Sequence, residues 1–76
     1  MNILQLINDG SRQLKNKEIY SHKLDAEILL SKVLNKSREQ LLINLNQKIF
    51  LKQINNFHKL INRRAKKEPI AYILKK

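Results

Sequence analysis

The chain has 76 residues, a net charge of +10 at pH 7, one glycine and no cysteine. This length allows one domain, and the lack of cysteine excludes disulfides and thiolate metal sites. No apolar run approaches the ~18 residues needed to span a bilayer, and the N-terminus lacks the pattern of a signal peptide. We therefore expect a cytoplasmic protein without a membrane partner.

The positive charge has two interpretations. Sixteen Lys and Arg against six Asp and Glu indicate an anionic partner such as nucleic acid or an acidic protein. Lys, Ile and Asn together supply 31 of the 76 residues, and all three have A/T-rich codons, so genome composition alone also explains the charge. Only four cations are Arg, the side chain favoured for bidentate phosphate recognition. A nucleic-acid partner is therefore possible but not favoured.

The first predicted helix runs from about Ile3 to Lys15, with Asn2 as its N-cap. Its apolar face follows helical spacing. That face contains Leu4, Ile7, Ser11 and Leu14, with Ile3 and Leu6 beside it. Gly10 lies inside this helix, where it either allows close packing against a crossing helix or marks a helix end.

The second predicted helix covers about His22 to Leu34. Ser21 is its candidate N-cap, and Asn35 is a suitable left-handed terminator. Asp25 and Glu27 lie near its first turn, where the helix dipole favours acids. Its apolar face contains Ala26, Leu29, Leu30, Val33 and Leu34.

Two further helices follow. The sequence Ser37-Arg38-Glu39-Gln40 matches a capping box and opens a short helix through Ile43. The longest helix is predicted from about Lys48 to Lys67 and ends at Glu68-Pro69, because proline disfavours a helical conformation in the residue before it. Its apolar residues are Phe50, Ile54, Phe57, Leu60 and Ile61.

The segment from Ile70 to Leu74 is predicted as a strand. Both of its faces are apolar, so it expects cover on both sides. No other segment reads as a strand that would pair with it. The predicted fold class is all-α, a small bundle of four to five helices with a C-terminal extended connector to something larger.

No residue is assigned to catalysis, to a cofactor or to a metal. His22 and His58 are interpreted as ordinary surface or boundary residues, and Asp25 and Glu27 point to different sides of their helix. A single glycine excludes a glycine-rich phosphate loop within the chain.

The densest basic cluster is a possible partner-docking site. It consists of Arg63, Arg64, Lys66 and Lys67. The cluster either docks phosphates or an acidic protein face, or consists of solvated cations that suit the negative end of the helix dipole.

The chain resembles the N-terminal domain of HemK-type peptide chain release factor N5-glutamine methyltransferases. The matching pieces are Leu4–Gly10, Asp25–Leu30 and Arg38–Leu42, followed by the more specific string Arg-Arg-x-x-x-Glu-Pro-Ile-Ala-Tyr-Ile over Arg63–Ile73. The resemblance covers essentially all 76 residues.

The resemblance implies a function for the parent protein. Members transfer a methyl group from S-adenosylmethionine to the glutamine of the Gly-Gly-Gln motif in class 1 release factors. Residues 1–67 are then a noncatalytic helical domain that docks the release factor. Residues 68–76 begin a β connector, with Glu68, Pro69, Ala71 and Tyr72, to a Rossmann-like catalytic domain that holds the cofactor and the catalytic residues.

Three positions depart from the family pattern, and two other functions stay open. Asn35, Lys67 and Lys75 stand where the family often has glycine; Asn35 tolerates a left-handed backbone, whereas the two lysines are expected to do so less easily. The alternatives are a free-standing basic nucleic-acid-binding bundle and a helical adaptor with an exposed apolar groove.

Overall fold

The computed structural model describes residues 1–75, which fold into five helices. The helices are α1 (Ile3–Asn16), α2 (His22–Leu34), α3 (Arg38–Leu42), α4 (Leu51–Ala65) and α5 (Ile70–Leu74). Within the described residues the only β pairing is an isolated bridge between Asn2 and Lys48. The predicted all-α bundle is confirmed. No helix of the described chain is both long and apolar enough to cross a membrane.

The helix starts follow the capping chemistry in the sequence. The Asn2 side chain accepts a hydrogen bond from the Gln5 backbone at 2.9 Å, and the Gln5 side chain accepts one from the Asn2 backbone at 2.9 Å. Ser37 and Gln40 form the same reciprocal pair at the start of α3, so two donors that a helix start leaves free are satisfied at each position. Ser21 precedes α2 without capping it, because its hydroxyl donates to the Asp25 carboxylate instead.

The core lies where α1, α2 and α4 pack together. Its buried apolar residues are Ile3, Leu6, Ile7, Leu14, Ile19, Ala26, Leu29, Leu30, Leu41, Ile49, Phe57, Ile61 and Ile73. The buried stripe of α1 is rotated from the predicted face: Ile3 is fully buried, whereas Leu4 is 42% exposed. The prediction for Phe50 was also wrong, because this residue precedes α4 and is largely exposed.

Gly10 allows α1 to approach α4 closely. A Cβ atom at this position would lie 2.7 Å from Phe57 Cζ and 2.9 Å from Ile61 Cδ1. Both distances are shorter than a carbon–carbon contact of about 3.5–4.0 Å. Of the two interpretations of Gly10, close helix packing is therefore confirmed.

The C-terminal segment is the main correction to the predicted fold. Ile70–Leu74 forms the short helix α5 and not an extended strand. No neighbouring strand in the described chain receives its backbone groups, and the helix satisfies them locally, for example through the Ile73 N–H, which donates to the Pro69 carbonyl at 3.1 Å. The helix also buries Ile73 in the core. Lys76, the last residue of the predicted connector, lies outside the described residues.

The bundle has two distinct ends. At the first, which we call the Met1 end, the Ile49 N–H donates to the Met1 carbonyl at 2.8 Å, so the starts of α1 and α4 lie side by side. At the second, the α5 end, Lys67 Nζ donates to the Lys17 carbonyl at 2.7 Å and joins the ends of α1 and α4. The path from α4 into α5 therefore leaves the bundle at the end opposite to Met1.

Candidate docking and connector sites

Arg64 faces the interior of the protein. Its Nε donates to Asp25 Oδ2 at 2.8 Å, and its Nη1 donates to the Glu68 carbonyl at 3.0 Å. The Asp25 side chain is only 5% exposed, and Ser21 Oγ donates to the same carboxylate oxygen at 2.9 Å. Arg64 thus ties the end of α4 to the start of α2 and to the residues that precede α5.

Arg63 pairs with Glu68 within the same turn of chain. Two parallel hydrogen bonds of 3.0 and 2.6 Å join its guanidinium to the two carboxylate oxygens. The donated hydrogen bond, together with the positive charge of Arg63, holds the pKa of Glu68 below its ordinary value, although partial desolvation opposes this shift. The same bond raises the pKa of Arg63. Both side chains are about one third exposed, so solvent screens much of this attraction.

Lys67 has an unusual backbone conformation. Its φ of 74° lies in the left-handed region, where a non-glycine residue is disfavoured. Its ammonium group donates to the Lys17 carbonyl at 2.7 Å. Asn35 adopts the same region with φ 56° as predicted, whereas Lys75 has a right-handed φ of −67° and needs no glycine.

The predicted docking cluster is therefore largely engaged within the chain. Both arginines and Lys67 contact other parts of the protein, while Lys66 is exposed. This geometry gives the arginines a structural role between α4 and α5. A docking role for the four cations stays a prediction.

The four predicted connector residues surround the start of α5. The Glu68 side chain is held by Arg63 and its carbonyl by Arg64. Pro69 precedes the helix with an extended ψ of 141°. Ala71 and Tyr72 lie on the exposed face of α5, with Tyr72 60% exposed. This face of α5 is exposed to solvent.

A second buried acid was not recognised from the sequence. Glu27 is 6% exposed, and Oε1 of its carboxylate accepts hydrogen bonds from Arg38 Nε at 3.1 Å and from Nη2 at 2.8 Å. This pair fastens α3 to α2. Helical spacing could have predicted the burial of both acids. Asp25 lies four residues before Leu29 and Glu27 lies three before Leu30, so both acids adjoin the buried face of α2.

The two histidines occupy separate positions. His22 Nδ1 lies 2.7 Å from Ser11 Oγ, and His58 Nε2 lies 3.3 Å from Asp9 Oδ2. Both residues are half-buried, which confirms the prediction of boundary positions. In residues 1–75, no group of three or more His, Asp or Glu side chains has the arrangement of a metal site.

The ion pairs are formed by arginine and histidine. All four arginines pair with a carboxylate, as does His58. No lysine in the described part of the chain takes part in such a pair. The net positive charge is therefore presented to solvent by lysines.

Exposed apolar side chains collect at the Met1 end. Exposed there are Met1, Leu4, Leu42, Ile43, Phe50 and Leu51. A shallow depression on the outer face of α1 adjoins Met1 and is lined by Gln5, Asn8, Asp9 and Arg12. Phe50 was predicted on the apolar face of α4, and the position of this exposed surface was not predicted from the sequence.

Comparison with known proteins shows what this chain is similar to. Residues 5–74 match the family model of the PrmC N-terminal domain. The chain is 46% identical over 72 residues to a bifunctional methyltransferase of Rickettsia felis. The aligned region is 95% of this chain and 14% of that protein. It is also similar to two proteins named release factor glutamine methyltransferase. The Leptospira interrogans protein is 41% identical over 93% of this chain and 25% of its own length, and the Clostridium botulinum protein is 38% identical over 97% and 26%.

The chain thus spans between 14% and 26% of the length of these relatives. No solved structure matches it.

Proposed function

Since this chain belongs to the PrmC N-terminal domain family, we propose that it is the release-factor-docking domain of an S-adenosylmethionine-dependent protein-(glutamine-N5) methyltransferase. The family match over residues 5–74 is the observation that carries this proposal. Two relatives named release factor glutamine methyltransferase support the choice of substrate. The target is then the Gly-Gly-Gln glutamine of a class 1 release factor in the cytoplasm.

In this proposal the domain contributes position and not chemistry. Residues 1–67 bind the release factor, and residues 68–76 lead to a catalytic domain that holds S-adenosylmethionine and the reacting groups. Binding energy from a part of the substrate remote from the reaction lowers the barrier only if it orients the reacting atoms. A docking domain therefore needs a firm connection to the catalytic domain.

The arginine contacts at the α5 end suit this requirement. Arg64 joins three segments of the chain through Asp25 and the Glu68 carbonyl, and Arg63 holds the Glu68 side chain. Together they fix the direction in which the chain leaves α4. The predicted boundary at residue 67 coincides with the left-handed turn at Lys67.

Two titrations of the 76-residue chain test the proposal. Isothermal calorimetry with S-adenosylmethionine should give no binding heat, because the cofactor belongs to the catalytic domain. An NMR titration with a purified class 1 release factor should perturb the amide signals of the chain. Micromolar cofactor binding, or no perturbation by the release factor, would contradict the proposed function.

A second candidate function is nucleic-acid binding, which the unpaired lysines favour. Counterion release requires the affinity of such a protein to fall steeply with salt. Fluorescence anisotropy with labelled RNA and DNA should then show a loss of tenfold or more between roughly 50 and 200 mM salt. No binding at the lower salt concentration removes this candidate.

A further inference from the structure

Most of the exposed large apolar side chains lie at the Met1 end. Ile43 is 80% exposed, Phe50 73% and Leu51 72%. Met1 and Leu42 add roughly half-exposed side chains. We call these five residues the apolar end. Contiguous exposed apolar surface on a soluble domain indicates an interaction site, whereas scattered single residues do not.

Backbone contacts bring the separate parts of this surface together. The Leu4 N–H donates to the Leu45 carbonyl at 3.1 Å, and the Ile3 N–H donates to the Gln47 carbonyl at 3.0 Å. The first residues of the chain therefore run along the loop between α3 and α4. The end of α3, the start of α4 and the N-terminus meet at one end of the bundle.

The fold does not require these side chains to be apolar. The first residue of α4 that packs against the core is Ile54, and the first buried one is Phe57. The start of α1 is already sealed by Ile3 and Leu6. Phe50 occupies an N-cap position, where its side chain makes no capping hydrogen bond and where Ser or Asp is ordinarily preferred. Stability of the isolated bundle therefore gives no reason for Phe at this position.

The position of the apolar end and the net charge of the chain indicate what kind of molecule binds there. The chain leaves toward α5 at the opposite end, and α4 has 15 residues, which separate the two ends by about 22 Å at 1.5 Å per residue. The apolar end therefore lies far from the connector. A second copy is disfavoured because each chain carries a charge of +10.

The charge at the apolar end indicates the chemistry of the molecule that binds there. Lys48 and Lys52 flank Phe50 and Leu51 along the chain, and both lysines are exposed. Neither forms an ion pair. The partner that complements this surface is therefore a separate protein with an apolar patch edged by carboxylates.

We propose that the apolar end is the surface on which this domain docks the release factor, and that the basic cluster of Arg63, Arg64, Lys66 and Lys67 is not. This inference rests on the proposed function and adds to it the contact surface and its chemistry. Arg63, Arg64 and Lys67 then serve the connector, and docking and connection occupy opposite ends of one bundle.

The test compares two matched variants of the 76-residue chain. Ile43→Ser/Phe50→Ser/Leu51→Ser removes the apolar surface, and Tyr20→Ser/Tyr72→Ser removes exposed aromatic surface at the α5 end, where Tyr20 is fully and Tyr72 60% exposed. Thermal unfolding followed by circular dichroism should be little changed in both. Serine at position 50 also supplies a preferred N-cap, so loss of folding is not expected to obscure the result.

Each chain is labelled with ¹⁵N and titrated with an unlabelled class 1 release factor. In the natural chain the shifted amide signals should map to residues 1–4 and 42–52. The triple variant should bind about tenfold or more weakly, since a few buried apolar side chains carry most of an interface's energy. The tyrosine variant should bind like the natural chain.

The other outcomes separate the inference from the proposed function. No binding by the natural chain overturns both. Binding that maps to the α5 end, or that only the tyrosine variant loses, overturns the inference and leaves the proposed function standing. If light scattering shows a dimer that the triple variant converts to a monomer, the apolar end is a self-association surface and the inference is overturned.

Discussion

Replacing Arg64 with methionine tests whether the interior ion pair at the α5 end holds the bundle together. Methionine keeps an unbranched apolar stem and removes the guanidinium group. The substitution deletes the 2.8 Å hydrogen bond to Asp25 and the 3.0 Å hydrogen bond to the Glu68 carbonyl. It leaves the Asp25 carboxylate, at 5% exposure, with Ser21 as its remaining side-chain donor.

The magnitude follows from the burial of the two partners. Removing one partner of a buried ion pair lowers the free energy of unfolding by roughly 3–5 kcal/mol. Arg64 is 19% exposed and Ser21 still donates to Asp25, so the lower limit applies, and we expect a loss of about 3 kcal/mol. A chain of this size has a total stability of about 4–11 kcal/mol, so the loss is a large fraction of it.

Urea unfolding followed by circular dichroism at 222 nm measures this loss. The matched control is Arg12→Met, because Arg12 pairs with Asp9 at 3.3 Å on the surface with its own side chain 67% exposed. The control should lose only about 0.3–0.5 kcal/mol. Equal and small losses in the two variants would refute the view that the Asp25–Arg64 pair organises this end of the bundle.

Three further predictions concern substitutions at Gly10, Lys67 and Glu68. Gly10→Ala should lower the free energy of unfolding by about 1–2 kcal/mol, although alanine has the better helix propensity. The reason is that the new methyl group meets Phe57 at 2.7 Å. If urea unfolding shows a more stable variant, the close contact is contradicted. Lys67→Gly should be about 1 kcal/mol more stable than Lys67→Ala in the same assay, since only glycine relieves the left-handed backbone at this position. Both variants lose the hydrogen bond to Lys17. Equal stabilities of the two variants would contradict this. Glu68 has a lowered pKa, so its contribution is present above the ordinary glutamate pKa of about 4.3 and is lost as pH falls through the folded value. The stability of Glu68→Gln should therefore fall less between about pH 5 and pH 3 than that of the natural chain, and identical pH profiles would count against the ion pair.

The helices were predictable because local chemistry determines them. Asn2 and Ser37 start helices through capping boxes that are visible in the sequence, and Asn35 ends α2 in the expected left-handed conformation. The exact apolar face of α1 was less predictable. Leu4 and Ile3 are adjacent apolar residues, and spacing alone does not decide which of them faces the core.

The structure of the last segment was not predictable from its pattern. Five consecutive apolar residues from Ile70 to Leu74 satisfy strand alternation and helical spacing equally well, since Ile70, Ile73 and Leu74 are also separated as on one helix face. The position of Ile73 against the core favours the helix. That contact depends on how α4 and α2 pack, which short-range pattern does not contain.

The roles of charged residues were the least visible in the sequence. A run of Arg63, Arg64, Lys66 and Lys67 reads as one solvated cluster, but its two arginines bind carboxylates that lie 5 and 39 positions away. The distinction follows from side-chain chemistry. A guanidinium group presents a planar fork and is weakly hydrated, which suits interior pairing, whereas an ammonium group is strongly hydrated and stays at the surface.

The same distinction explains how one small domain combines rigidity with a strongly charged surface. Three of its four arginines pair with carboxylates that join α3 to α2, α4 to α2, and α4 to Glu68, so the lysines set the external field. An acidic partner is attracted by that field over a distance of about one Debye length, but lysines alone give little specificity. In the proposed docking, the exposed apolar residues at the Met1 end supply the shape-dependent contact that the charge lacks. In this proposal, long-range attraction and short-range recognition are assigned to different residue types, and the arginine pairs that join the helices take part in neither.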